Sequence, residues 1–165
     1  MTQRRLMRLR HIVSNARDIA IFCHQNADPD ALCAAYAVRY LVKRLGRSPR
    51  VQVIVPEGIG EISRRILRRI RLKVQVGLDL AQVDLVVVVD TGATQQLGEM
   101  RSIIEDHHGP IIVFDHHASH PSTKRATLTF RDQRASSTCE MIHGILKGLH
   151  LEPSSLLAFA LLVGI

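Results

Sequence analysis

Two runs of the sequence, LVVVV at 85–89 and IIVF at 111–114, leave little freedom for the fold. Each is apolar at successive positions, so a strand made from either hides both faces, as parallel strands do when helices cover the sheet on both sides. Further β-rich runs, DIAIFC at 18–23, RVQVIV at 50–55, KVQVGL at 73–78 and ATLTF at 126–130, alternate with segments of helical period. The expectation is α/β: a doubly wound, mainly parallel five-stranded sheet with helices on both faces. At 165 residues the chain suits a single domain and has no room for a second full one.

Helix signals fill the gaps. In NADPDALCAAYAVRYLVKRLG, Asp28 suits an N-cap, Pro29 the first helical position, where its missing N–H costs nothing, and Gly46 the stop. The basic MTQRRLMRLRHIVSNA, with Arg4, Arg5, Arg8 and Arg10, lacks the apolar core of a secretion signal and reads as a helix. Helices are also expected over 59–71, with Ile62, Ile66 and Ile70 as an apolar stripe, and over 94–106, 136–148 and 154 to the end. No apolar run reaches the roughly 20 residues that span a bilayer, so no membrane partner is expected. Cys23, Cys33 and Cys139 lack zinc-like spacing and suit free thiols in a reducing, cytoplasmic setting. A net charge of +7 and a pI near 10.0 favour polyanionic partners.

In open α/β sheets, ligands bind beyond the carboxyl ends of the strands, and that rule sorts the ionisable residues. His24, Asp28 and Asp30 follow the first strand, Asp90 follows LVVVV, and Asp115-His116-His117 follows IIVF. Singly, each has a plain structural explanation: a cap, a turn, a core histidine. Together, three strand ends supplying carboxylate and imidazole point to a metal site. The set is hard, mixed oxygen and nitrogen without thiolate, which suits Mn²⁺ or Mg²⁺. Asp28-Pro29-Asp30 turns its two carboxylates apart, so they can serve two ions clamping a phosphoester for in-line attack by water. The first Asp-His-His, Asp106-His107-His108, precedes its strand and is expected at the opposite edge, roughly 13–17 Å away, with its histidines favoured by a helix C-terminus.

The motifs H-x-x-x-D-x-D-A at 24–31, VVVVDTG at 86–92, VFDHH at 113–117 and ASSTCEMI at 135–142 resemble the DHH phosphoesterase superfamily, in its RecJ-like or nanoRNase-type branch. The resemblance implies an N-terminal catalytic domain in which His24, Asp28 and Asp90 hold one Mn²⁺ and Asp30, Asp90 and His116 the other, with Asp90 as the bridge. It implies that His117 meets a substrate phosphate and that Asp115 orients it; Ser136, Ser137 and Thr138, at a helix start, either stand beside the substrate or only cap the helix. It further implies one more metal-binding Asp and a C-terminal substrate-binding domain beyond Ile165. The expected reaction is hydrolysis of nucleotides or short single-stranded oligonucleotides. The alternatives are a manganese-dependent inorganic pyrophosphatase, disfavoured because Thr91 stands where that branch has His after the bridging Asp, and a non-catalytic nucleotide-binding module. The lone DTG imitates an aspartic protease, but such sites need two on a β-rich scaffold. The arginines of EISRRILRRIRLK fit either a nucleic-acid face or a solvated helix surface.

Overall fold

The computed structural model describes residues 2–56, 58–77, 82–118 and 125–165. In chain order the elements are α1 (Gln3–Asn15), β1 (Asp18–Phe22), α2 (Pro29–Leu45), β2 (Arg50–Ile54), α3 (Glu61–Ile70) and β3 (Leu85–Val89). A 3-10 turn (Thr94–Leu97), α4 (Met100–Glu105), β4 (Ile111–Asp115), β5 (Leu128–Arg131), α5 (Thr138–Gly148) and α6 (Ser155–Gly164) complete the chain. All four strand pairings are parallel, in the order β2-β1-β3-β4-β5. The chain reverses direction across the sheet between β1 and β3, so their carboxyl ends open a crevice there.

β3 and β4 are buried at every residue, as their sequences require. On one face Ile19, Ile21, Val87, Val89, Ile112 and Phe114 pack with residues of α1, α2, α5 and α6. On the other, Ala20, Phe22, Val86, Val88 and Val113 pack with Leu97 and Ile104. Asp28 caps α2 by accepting from Ala31 N, Pro29 opens the helix and Gly46 closes it. Ser137 and Ser154 cap α5 and α6 in the same manner.

Three expectations need correction. KVQVGL forms no strand over 73–77: only Gln75 pairs, as a single bridge to Ile54, and Val76 is 71% exposed because no sheet face is left to bury it. Leu78 lies outside the described residues. The helix expected over 94–106 is broken at Gly98, whose φ of +55 no α-helix accommodates. On α3, Ile62 is 70% exposed, so the expected stripe of isoleucines is not the buried face; Ser63 and Ile70 are its buried residues.

Candidate metal centre

Three parallel strands end together and deliver their next residues to one crevice. After β1, the chain turns through His24 and Asn26 (φ +53) into Asp28, and Gln25 N bonds to Gln96 O at 2.7 Å, tying this loop to the one after β3. After β3 comes Asp90, 3% exposed and held at φ +51. A left-handed conformation costs a non-glycine residue about 1 kcal/mol, and such strain gathers at functional sites. After β4 comes His116-His117, above the buried Asp115 that ends the strand.

Two donor groups form, and both contain Asp90. His24, Asp28 and Asp90 make one: His24 Nε2 is 3.8 Å from Asp28 Oδ1 and 3.9 Å from Asp90 Oδ2. Asp90, His116 and His117 make the other, with His116 Nε2 3.7 Å and His117 Nδ1 3.8 Å from Asp90 Oδ1. These separations are too long for hydrogen bonds and short enough for a shared cation.

The tautomers fit that reading. His24 Nδ1 lies 2.6 Å from Gln25 O and His116 Nδ1 3.3 Å from Ala135 O. Facing a carbonyl, each Nδ1 must carry the proton, which leaves the Nε2 lone pair turned to the carboxylates. Lone pairs facing carboxylate oxygens repel unless something positive lies between them. Electrostatics agree: burial first, then the charges of Asp30 and Asp28, pushes Asp90 up to about 6. His24 is raised chiefly by the neighbouring Asp28 carboxylate, and Asp28 is lowered chiefly by His24. A cation binding these oxygens relieves the crowding around Asp90, so the residues fit a divalent metal. Burial pushes the Cys23 and Cys139 thiols far up, so neither offers a thiolate.

The remaining site residues are engaged within the protein. Asp30 Oδ2 accepts from Thr138 N at 2.8 Å and Oδ1 from Cys139 N at 2.9 Å, so this carboxylate caps α5 from another element while standing 4.0 Å from His116 Nε2. Thr138 Oγ1 donates to Asp90 Oδ1 at 2.8 Å, and Ser137 Oγ accepts from Glu140 N at 3.0 Å. The two hydroxyls assigned to a substrate are thus spent on the bridging carboxylate and on a helix cap. His117 Nδ1 donates to Asp115 Oδ1 at 2.8 Å, so that nitrogen is taken, the second donor group reduces to Asp90 and His116 with Asp30 beside them, and the His117 ring stays half-exposed. Gly92 leaves room for it, since a Cβ there would sit 3.3 Å from His117 Cβ.

Arg131 completes the support and went unread in the sequence. Its Nε and Nη2 donate to Asp115 Oδ2 at 3.2 and 3.0 Å, leaving neither oxygen of that fully buried carboxylate unpaired. Only the register of the sheet reveals it: β5 pairs β4 in parallel with Asp115 opposite Arg131. Asp106-His107-His108 lies at the other end of β4. There His107 is buried, and its Nε2 has no hydrogen-bond partner among the described residues. Burial, then His108 and Arg125, lowers its affinity for a proton, so a neutral ring packs beneath the sheet and the expected charge–dipole role is not what holds it.

The model for the DHH family, N-terminal domain, matches residues 18–165. The chain belongs to the DHH family. Two uncharacterized proteins of Methanocaldococcus jannaschii are similar to this DHH domain: one is 29% identical over 150 residues, covering 90% of this chain and 45% of that protein. The other is 30% identical over 150 residues, covering 89% and 29%. The chain therefore spans less than half the length of these curated relatives. An exopolyphosphatase-related protein from Bacteroides fragilis has the same fold, with a TM-score of 0.78 and 19% identity over 99% of this chain and 49% of that one. So has RecJ from Thermus thermophilus in complex with Mn²⁺, with a TM-score of 0.53 and 18% identity over 98% and 23%. At these identities the likeness is one of fold.

Proposed function

We propose that this DHH domain carries the catalytic centre of a manganese-dependent phosphoesterase that hydrolyses phosphodiester or phosphomonoester bonds in nucleotides or short single-stranded oligonucleotides. One observation carries the reading: a single buried carboxylate, Asp90, is shared by two donor groups, with a carboxylate-held imidazole beside it. His24, Asp28 and Asp90 would hold one ion, and Asp90 and His116, with Asp30 beside them, a second. Two divalent cations there would supply a water of lowered pKa and offset charge on the phosphoryl group. An oxygen-rich set with imidazole and no available thiolate favours Mn²⁺ over structural zinc.

The chain's own residues do the rest. Thr138 and the left-handed backbone fix Asp90 so that Oδ2 faces His24 while Oδ1 faces His116 and His117. Asp115, itself fixed by Arg131, holds the His117 ring by Nδ1–H, which sets its Nε2 edge to meet a phosphoryl oxygen that gains charge during attack. The buried free thiols accord with a cytoplasmic location.

The test is a direct competition of substrates. The full-length protein with Mn²⁺ is expected to release mononucleotides from a short RNA faster than phosphate from pyrophosphate. Rapid pyrophosphate hydrolysis with inert RNA would select the pyrophosphatase reading instead, and saturable nucleotide binding without turnover of either would select the non-catalytic one.

A further inference from the structure

β5 is an edge strand, and α1 lies beside it. Arg4, Arg5 and Arg8 of α1 line a cavity of about 600 Å³ together with Thr127 and Thr129. A second cavity, of about 590 Å³, follows along the same edge; Arg5 lines both, and Arg131, Arg134 and Ala135 line the second. Because β5 runs parallel to β4, this path climbs from the amino end of the sheet to its carboxyl edge. It ends on the back of the metal centre, at the arginine that holds Asp115 and the carbonyl that faces His116 Nδ1.

Arg131 and Arg134 are held by Asp115 and Asp132 and Arg5 lies over Phe130, so among the described residues the charge on the path that no carboxylate offsets is that of α1. Among the described residues, none of Arg4, Arg5 and Arg8 makes an ion pair, and the first turn of α1 has no acidic residue. Cations at a helix N-terminus oppose the helix dipole, so stability alone disfavours them there. The acids that line the second cavity are already engaged: Asp132 pairs with Arg134, and Glu140 accepts from Ser136. Phe130 is 3% exposed with Arg5 over its ring, so the groove offers no aromatic surface for stacking a base. Recognition along it must rest on phosphates.

We infer that the α1–β5 groove is a second anion-binding surface, carrying the phosphate backbone of a single-stranded oligonucleotide toward the metal centre without regard to sequence; this rests on the reading of the centre given above. Inorganic polyphosphate presents similar oxyanions, so the test includes it. Labelled oligo-U is titrated into the full-length protein in the presence of chelator, at several salt concentrations, with wild type, Arg4→Glu/Arg5→Glu/Arg8→Glu and Arg64→Glu/Arg68→Glu/Arg71→Glu. The α3 set carries the same charge change on the helix that follows the opposite edge strand, β2.

Three lost phosphate contacts are expected to weaken oligo-U binding by about tenfold or more and to make the slope of log K against log salt shallower by about 2, while the α3 set leaves that slope unchanged. Acids in the first turn of α1 favour the helix, so a melting temperature at or above wild type separates lost binding from misfolding. Mn²⁺-dependent turnover of a small chromogenic phosphodiester is expected to be unchanged in the α1 variant. An unaltered slope in the α1 variant, a larger loss in the α3 variant, or binding of polyphosphate but not oligo-U overturns the inference. A wild type that binds oligo-U through these arginines yet hydrolyses no phosphoester upholds the groove and faults the reading of the centre.

Discussion

Asp106-His107-His108 and Asp115-His116-His117 stand at opposite ends of the single strand β4, and the same three letters meet different surroundings there. At the amino end His107 is buried, its Nε2 has no hydrogen-bond partner among the described residues, and its proton affinity is lowered. At the carboxyl end every imidazole has its Nδ1 fixed, by Ala135 O or by Asp115, and Asp115 is fixed in turn by Arg131. Sheet polarity makes the difference. In a parallel sheet every strand contributes its next residue to the same edge, so His24, Asp90 and His116 converge although 92 positions of sequence separate the first from the last. Residues preceding the strands converge on the other edge, where, among the described residues, no carboxylate pairs with His107.

The contrast can be broken most severely at the shared ligand. Asp90→Asn is expected to cost both donor groups at once, lowering Mn²⁺-dependent turnover by at least about 10³-fold and abolishing tight Mn²⁺ binding, as read by steady-state assay and calorimetry. Next comes the support at the carboxyl end. Arg131→Gln leaves the fully buried Asp115 with an unpaired charge, and should destabilise the protein by about 3 kcal/mol in a denaturant titration. Turnover should fall about 10–100-fold with Mn²⁺ affinity near wild type, because the Asp115 that anchors His117 loses its own support while the ligands stay.

Acidity sharpens the comparison further. Folding raises Asp90 from 3.8 to about 6, so the folded state binds this proton more tightly than the unfolded one. The sign follows: the metal-free protein gains stability from Asp90 below about pH 4 and loses it as pH rises to about 6, by at most about 3 kcal/mol. A metal must displace the same proton, so Mn²⁺ affinity should drop about tenfold per pH unit below about 6. Melting and calorimetry between pH 4.5 and 7.5 measure both, and Asp90→Asn should flatten the stability profile over that range.

Much of this was legible in the sequence, because its signals were local. LVVVV and IIVF announced buried parallel strands, Asp28-Pro29 announced a capped helix, and the order of strand and carboxylate placed His24, Asp28, Asp90 and His116 at one edge. What failed to show was what depends on neighbours distant in sequence. Val74 and Val76 alternate like strand residues, but β2 leaves that segment only one bridge, at Gln75. Ile62 has the right period for a buried face, yet what covers α3 is decided by α2 and α6. Arg131 is an unremarkable arginine until the register of β5 sets it opposite Asp115. Thr138 was expected beside the site, but its bond to Asp90 shows only once Asp30 draws the start of α5 toward that carboxylate.

The smallest expected effect belongs to the amino end, and it gives the most direct test. Mn²⁺ is titrated by calorimetry, with electron paramagnetic resonance of the free ion as a second readout, into wild type, His116→Ala and His107→Ala in parallel. The account predicts affinity about 100-fold weaker for His116→Ala, and for His107→Ala an affinity within about twofold of wild type, with a stability change of about 1 kcal/mol or less. Equal losses in the two variants, or a loss confined to His107→Ala, would contradict it.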